Sequence, residues 1–397
     1  MIINLTIVSV WILIVILAVP VATFVFELLM ACRAHTHAAD SVEPAGSRPA
    51  CAILIPAHDE ESNIEKTLSN VLQKIGKDDR VVVIADNCTD ATSELASRAG
   101  AEVVYRIDPD HRGKGFAMQF GIDAIREDPR EVVVFLDADC QFVENSLDHL
   151  VWQTKSQGCA TQAKYLMRRP DEVDQSMQAT ISQFAVLIKN WVRPRGLHRL
   201  DVPVPLTGSG MGFPWNEIST IPLASANLVE DMTLGCQLAQ LGRGARFCEA
   251  AEVLAPLPTS SAASRQQRER WEQGHLDTIR KHVPRLLLTA IKHRRISLLA
   301  VAFDLAVPPL TFLLFALSMT WLITAVLATV DVKPFVCVTS MLLAMVFALV
   351  VSARRFSDDS QLFRALLTIP RYAINKLPIY LSFFFRGRQR QWLRTAR

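Results

Sequence analysis

The chain has 397 residues, with 42 Lys and Arg against 39 Asp and Glu, a net charge of +3. So even a balance offers no electrostatic argument for a nucleic-acid partner. Half of the residues are hydrophobic and a fifth are charged, a mixture that points to segments of unequal character rather than one uniform domain. The cysteines at 32, 51, 88, 140, 159, 236, 248 and 337 are scattered without a C-x-x-C pair. That spacing speaks against a zinc site or a secreted disulfide framework and fits reduced, packed thiols.

From Ile2 to Met30 the sequence is almost uninterruptedly apolar. That is long enough to cross a hydrocarbon core of ~30 Å at ~1.5 Å per residue. It has no basic n-region and exceeds a signal peptide's apolar core, so residues 1–32 are expected to be a retained anchor. Two further apolar spans, Leu298–Val330 and Pro334–Ser352, are joined by the short "DVKP" and predict a transmembrane hairpin over 298–353. The first contains Asp304 and Pro308-Pro309, so its membrane part is expected to begin near Val307. Arg33, then His293, Arg294 and Arg295, then Arg354 and Arg355 flank these spans. The basic tail "RGRQRQWLRTAR" adds five arginines, from Arg386 to Arg397. By the positive-inside rule all of these lie on the cytosolic side, with the N-terminus and the 330–334 turn outside. Residues 354–397 read as an amphipathic and basic cytosolic tail lying on the membrane surface.

Residues 50–260 carry a different pattern. "CAILIPAH" reads as a buried strand, and "SNIEKTLSNVLQKI" follows with helical periodicity and Ser62 as N-cap. "RVVVIADN" is a second strand, "DATSELASRAG" a helix closed by Gly100, and "AEVVYRI" a third strand. "GFAMQFGIDAIRE" is helical, and "EVVVFLDAD" is the fourth strand. Strands and helices in alternation, with continuous β-branched strand runs, predict a parallel sheet covered on both faces. Ligands of such sheets gather beyond the carboxyl ends of the strands.

Three of those ends are acidic. "PAHDEE" (56–61) and "ADNCTD" (85–90) follow the first two strands, where Asp59 and Asp90 read equally well as caps of the next helix. "LDADC" is harder to explain by capping. Asp137 and Asp139 flank one small residue directly after a buried strand, where carboxylates without a countercharge are costly. A divalent cation on a phosphate substrate would supply that charge. "DHRGKGFAM" places Lys114 between glycines before a helix, without the pattern of a P-loop. It is either a basic turn or a reader of a diphosphate. "LVEDMTLG" sets Glu230 and Asp231 at a helix start, where the dipole alone would favour them. "LTGSGMGFP" is a glycine-rich loop, suited to close backbone approach to a ligand or simply to turning. "RQQRERW" carries Gln267, Arg270 and Trp271 shortly before an apolar span, as a solvated helix face or an interfacial anchor would.

In this order and spacing the residues resemble glycosyltransferase family 2, the inverting nucleotide-sugar transferases. The likeness is to its membrane-bound branch of cellulose, chitin and hyaluronan synthases and ceramide glucosyltransferases. That branch combines separated aspartates with Q-x-x-R-W. Here they are Asp86, Asp139 and Asp231, followed after 35 intervening residues by "QRERW" at 267–271. The resemblance covers about residues 50–275. It implies an α/β GT-A-type nucleotide-sugar-binding domain with a mainly parallel sheet on the cytosolic side, over 50–260. Interfacial helices over 261–297 and the transmembrane helices would complete the chain.

By the same resemblance, Asp86 contacts the uracil or ribose of a UDP-sugar, and Lys114 lies near the nucleotide or diphosphate. Asp137 and Asp139 bind Mg²⁺ or Mn²⁺, with Asp139 the direct ligand. Asp231 is the general base, with Glu230 beside it. Gln267 and Arg270 hold the donor. Trp271, Gly208 and Ser209 face the acceptor. Val229 stands where the family's acidic motif has threonine, and "DNCT" lacks the second acid of the usual D-D-G-S, so base recognition is the less defined part.

The implied reaction builds negative charge on the leaving β-phosphate, which a metal and nearby cations offset. A carboxylate takes the acceptor's proton. One anchor and one hairpin are few helices for a private export channel. The expected acceptor is therefore a lipid-linked or membrane-associated glycan in cell-surface or exopolysaccharide assembly, at a bacterial inner membrane, with polysaccharide-export proteins as possible partners. A processive β-glycan synthase is the competing reading. An inactive nucleotide-sugar sensor or scaffold is a third, and such a protein would be expected to have lost Asp231 or the D-x-D.

Overall fold

The computed structural model describes residues 2–33, 48–168, 177–225, 227, 229–257, 261–357 and 362–366, with the backbone alone given for 2–5, 178, 261–268, 365 and 366. The tail expected over 367–397 lies outside the described residues. The described residues of 1–34, 174–202 and 268–389 form one compact unit, and those of 35–173 and 203–267 form another.

The first unit is helical. Its first helix, α1 (Ile2–Cys32), buries Val10, Ile14, Leu17, Val21, Phe24 and Leu28. These recur at alternating four- and three-residue steps, the seam a helix presents to helical neighbours. The neighbours include α12 (Leu310–Leu327) and α13 (Lys333–Phe356), whose Leu313, Leu317, Val338, Met345 and Leu349 join the same apolar cluster. Ile12, Val15, Ile16, Val19 and Phe26 on α1 remain exposed, an arrangement that suits a lipid environment. Among the described residues, three helices, Thr6–Cys32, Leu310–Leu327 and Lys333–Phe356, are long and apolar enough to cross a membrane.

The span expected from Leu298 to Val330 is divided. A short helix α11 (Ile296–Ala306) ends before Pro308 and Pro309, and α12 begins at Leu310. Two successive prolines remove two N–H donors and forbid a continuous helix. The polar Asp304 thus belongs to the short segment, outside the long apolar helix.

Helix α6 (Met177–Leu187), a π-helical turn at Ile188–Val192 and α7 (Arg193–Arg199) complete this face of the unit with the long α10 (Ser261–His293) and a short α14 (Leu362–Leu366). Arg193 Nε donates to Glu27 Oε2 at 2.6 Å, and its Nη2 donates to Asp304 Oδ1 at 2.6 Å and to the Asp304 carbonyl at 2.9 Å. Gly196 lets α7 approach α1: a Cβ there would stand 2.1 Å from the Glu27 carbonyl oxygen.

The second unit is built on an eight-stranded sheet. In chain order its strands are β1 (Cys51–Ala57), β2 (Arg80–Asp86), β3 (Glu102–Arg106), β4 (Val132–Phe135), β5 (Gln141–Phe142), β6 (Thr161–Arg168), β7 (Met211–Pro214) and β8 (Arg246–Pro256). The spatial order is β3-β2-β1-β4-β7-β6-β8-β5. β1, β2, β3 and β4 are mutually parallel, β6 and β8 are parallel, and β7 is antiparallel to both β4 and β6. Cys51–Ile55 and Val132–Phe135 are fully buried without alternation, as strands covered on both faces must be. Helices α2 (Ile64–Leu72), α3 (Thr92–Arg98) and α4 (Lys114–Ala124) connect the parallel strands β1 to β4, α5 (Ser146–Gln157) lies between β5 and β6, and α8 (Trp215–Ile218) and α9 (Glu230–Gln240) follow β7.

Ser62 is not the cap of α2. The helix begins at Ile64, and the Glu60 carbonyl takes the N–H groups of Asn63 and Ile64 at 3.0 and 2.9 Å. At the other end of α3, Gly100 adopts φ 96°, as its place at a helix end predicts.

Candidate active site

Because β1 separates β2 from β4, the chain leaves neighbouring parallel strands in opposite directions at this point. The carboxyl ends of β1, β2 and β4 therefore border a crevice. The acidic loops fall there, and they do different things.

Two of the acids make turns. The Asp59 carboxylate accepts the Thr89 N–H at 2.6 Å, and Asp90 accepts the N–H of Thr92, the first residue of α3, at 3.0 Å. Asp59, Cys88 and Asp90 also bring donor atoms within 4.8 Å of one another, but these hydrogen bonds explain why the two carboxylates are here. Asp86 ends β2 directly opposite Arg106, the last residue of β3. Arg106 Nη1 donates to Asp86 Oδ1 at 2.6 Å, and Asn87 Nδ2 donates to the same oxygen at 2.9 Å. The Arg106 guanidinium also reaches Asp108 and the His111 carbonyl and lies 5.5 Å from the centre of the Phe116 ring. The sequence reading missed Arg106. Its signal was a basic residue closing a strand whose neighbour closes on an acid.

The second group of residues converges beyond β4. Lys114, the first residue of α4, donates to Asp137 and to the Gly208 carbonyl, the latter at 2.6 Å, and lies 3.9 Å from Glu230 Oε1. Asp137 anchors its own backbone to the glycine loop: its N–H donates to Ser209 Oγ at 3.0 Å. Gly208, at φ 94°, passes beside Asp231, whose Oδ2 would lie 3.2 Å from a Cβ at that position. A side chain there would meet both backbone strain and the carboxylate. The structure therefore brings Lys114, Asp137, Gly208, Ser209, Glu230 and Asp231 together from four separate stretches of sequence. Asp139 follows one residue after Ala138 and is 7% exposed.

Burial opposes the charge of Lys114, but Asp137, Glu230 and Asp231 outweigh it and raise its pKa above the ordinary lysine value. Burial pushes Glu230 up to about 7, with Asp231 adding to the rise and Lys114 working against it.

Asp137, Asp139 and Cys140 bring one donor atom each within 4.8 Å of one another. Two carboxylate oxygens suit a hard divalent cation such as Mg²⁺ or Mn²⁺. Cys140 fits less well. Burial, then Asp137, raises its thiol pKa far above the usual range, and the thiol donates toward Asp139 Oδ1 at 3.5 Å. Its S–H steadies the carboxylate rather than adding a ligand.

Gln267, Arg270 and Trp271 lie on α10. Gln267 and Arg270 are three residues apart and so share a helix face. The Gln267 side chain lies outside the described residues, and Arg270 and Trp271 belong to the helical unit, where both are half-buried.

With this geometry in view, the comparisons with known proteins converge. A profile of the glycosyl transferase family 2 matches residues 52–178, and one of the glycosyl transferase family group 2 matches residues 132–351. The latter spans more than half of the chain. The chain belongs to this family and is a glycosyltransferase. A relative in Haloferax volcanii, the low-salt glycan biosynthesis hexosyltransferase Agl6, is 31% identical over 114 residues, 27% of this chain. The matched stretch is 25% of that relative's length. Among solved structures, the mannosyltransferase PcManGT from Pyrobaculum calidifontis, in complex with GDP-Man and Mn²⁺, is similar over 87% of this chain and all of its own. The TM-score is 0.50 and the identity 19%, a likeness of fold, here the GT-A fold. Glucosyl-3-phosphoglycerate synthase from Mycobacterium tuberculosis, with Mn²⁺ and UDP, matches over 57% of this chain and 80% of its own. Its TM-score is 0.34 at 19% identity.

Proposed function

We propose that the protein transfers a sugar, with inversion, from a nucleotide-sugar donor, UDP-linked, to a lipid-linked or membrane-associated glycan. The observation that carries this reading is the convergence of Lys114, Asp137, Glu230 and Asp231 around the Gly208–Ser209 loop beyond β4. One cation among several carboxylates, at the crevice where such sheets bind ligands, suits a diphosphate bound with a divalent cation.

Asp86, held by Arg106 and Asn87, presents carboxylate oxygens to N–H groups of a base or hydroxyls of a ribose. Two of the three N–H donors of Lys114 serve Asp137 and Gly208, and the third is what a phosphate oxygen would take. Asp139 and Asp137 are the residues that would hold Mg²⁺ or Mn²⁺. When bound, the ion supplies charge stabilisation to the departing diphosphate. Asp231 takes the proton of the attacking hydroxyl, and attack from the face opposite the leaving group inverts the anomeric carbon. Glu230, pushed up to about 7 by burial, lies beside Asp231 and 3.9 Å from Lys114. Arg270 and Gln267 are assigned to the donor, and Trp271 with Gly208 and Ser209 to the acceptor. The apolar spans favour a membrane-held acceptor over a soluble one. Positively charged flanks favour a cytosolic catalytic unit.

The test uses purified full-length protein in nanodiscs with a panel of UDP- and GDP-sugars, and membrane lipid extract as acceptor. Mass analysis of the product should find a single added sugar from one donor. Transfer should be lost in EDTA and regained with Mn²⁺ or Mg²⁺. Asp231→Asn should lower turnover about 10²–10⁴-fold while leaving donor binding within about threefold. Transfer by that variant at the parent rate would remove Asp231 from its role, and a polymer grown from one donor would replace single addition with processive synthesis.

A further inference from the structure

One buried side chain close to this site has no part in the reaction just described. Gln162, on β6, has no solvent exposure. Its neighbours in "ATQAKYLM" are mostly apolar, and an amide without partners would be costly there. It has partners at both ends, and they all belong to the backbone. Its Nε2 donates to the Ser209 carbonyl at 2.9 Å, to the Gly210 carbonyl at 3.4 Å and to the Ala163 carbonyl at 2.9 Å. Its Oε1 accepts the Thr207 N–H at 2.8 Å. An N–H at one end and carbonyls at the other define the orientation of the amide.

Residues 207 to 210 are the loop that passes the reacting groups. Thr207 is gripped at its start, and Ser209 and Gly210 at its end. Between them lie the Gly208 carbonyl, which accepts from Lys114, and the Ser209 hydroxyl, which accepts the N–H of Asp137. The loop leaves in register: the Gly210 N–H donates to the Phe135 carbonyl at 3.0 Å, and the Ala163 N–H donates to the Gly210 carbonyl at 2.9 Å. A rigid shelf therefore joins the D-x-D turn, the lysine and the flank of Asp231. Its shape depends on one side chain from the neighbouring strand.

We infer that Gln162 is a positioning residue, which holds the Thr207–Gly210 shelf so that Asp231, Lys114 and the D-x-D turn keep the spacing needed for transfer. The inference rests on the proposed glycosyl transfer at this site. Displacement of about 1 Å at a reacting centre can reduce rate about 10²-fold. The expected signature is therefore a loss in kcat larger than the accompanying loss in donor affinity, because the shelf carries Lys114, the D-x-D turn and the flank of Asp231, while the Asp86 and Arg106 side of the crevice lies apart from it.

The experiment compares full-length parent, Gln162→Met and Gln162→Asn. Met keeps the volume and removes every polar contact, whereas Asn keeps the amide but draws it back by one methylene. Donor affinity is measured by titration with UDP and Mn²⁺, turnover with the donor that the parent uses, and backbone exchange by deuterium uptake. For Gln162→Met, kcat should fall about 10- to 100-fold, with a distinctly smaller rise in the UDP dissociation constant. Uptake should rise in peptides covering 204–215 and stay unchanged in those covering β1 and β2. For Gln162→Asn the same pattern should appear at smaller amplitude. Unchanged kcat or unchanged exchange at 204–215 would overturn the inference, as would a fall in UDP affinity equal to the fall in kcat. Should Gln162→Met not fold, the Gln162→Asn variant is judged by the same criteria. A parent that transfers no sugar from any donor would instead overturn the proposed activity, and the exchange measurement would still report whether Gln162 holds the loop.

Discussion

Lys114 and Arg193 each draw carboxylates from distant parts of the chain, and the two clusters differ in how they are closed. Around Lys114 the side chains remain partly open: 21% exposure for the lysine and 27% for Asp137. Around Arg193 they are sealed, with 10% for the arginine, 2% for Glu27 and 9% for Asp304. The cations differ in kind as well. Arginine's planar fork engages two acids at once in fixed directions, whereas the lysine ammonium is a point charge that can exchange partners. A sealed fork ties helices together, as Arg193 ties α7 to α1 and α11. An open point charge beside several acids suits a ligand that brings its own charges. The contrast teaches that a buried charge in this protein signals function only where access and surplus acid accompany it.

The strongest way to break this comparison is to remove each cation. Arg193→Met leaves Glu27 and Asp304 buried without their partner, and stability should fall by about 3–5 kcal/mol. The midpoint of denaturant unfolding in detergent micelles would show it, and activity should fall only in proportion to the folded fraction. Combining it with Glu27→Leu and Asp304→Leu should restore most of the loss, since an apolar trio can replace a sealed ionic one. A triple variant as unstable as the single one would mean that the cluster does more than clamp. Lys114→Met should do the reverse. We expect kcat/KM to fall about 10²-fold while the unfolding midpoint stays within a few degrees. A large loss of stability without a change in kcat/KM of the folded protein would make Lys114 a structural residue.

Two smaller effects have opposite signs with pH. Glu230 is pushed by burial from 4.5 up to about 7, so the folded state holds a proton that the unfolded state releases. Its contribution to stability is complete below about pH 4.5 and is lost as pH rises through 7. Glu230→Gln should lack that decline, so its stability relative to the parent should rise as pH goes from about 4.5 through 7, measured in the absence of divalent ions. His275, in the helical unit, is lowered by burial, with Lys189 and Arg193, from 6.5 to about 3. It stays neutral when folded, so its contribution is present above about pH 6.5 and is lost as pH falls toward 3. His275→Gln should flatten the acid limb of the stability curve and leave the neutral limb alone. An unaltered acid limb would show that other groups govern acid unfolding.

Much of this architecture was legible in the residues. Continuous runs such as "CAILI" and "VVVF" carry the parallel strands, because a strand covered on both faces has no polar side to alternate. Asp137, Asp139 and the Glu230–Asp231 pair could be singled out because acids beyond buried strands, or crowded at a helix start, need a reason. The division of the second apolar span at Pro308–Pro309 also followed from local chemistry. The cap of α2 did not, since Ser62 and Asn63 offer the same local signal and the Glu60 carbonyl decides between them.

Local pattern alone thus determined the class of the sheet, the apolar helices, the acidic turns and, through their order and spacing, the glycosyltransferase resemblance. These depend on neighbours within a few residues, or on residue types at set separations. The tertiary structure alone decided which partner each charge has. Asp86 meets Arg106 only because β2 and β3 pair in that register, Lys114 meets Gly208 only because β7 inserts beside β4, and Gln162 serves the loop only because β6 lies next to it. Hydrogen bonds and ion pairs act over about 3 Å, and separations along the chain do not encode which distant residues come that close.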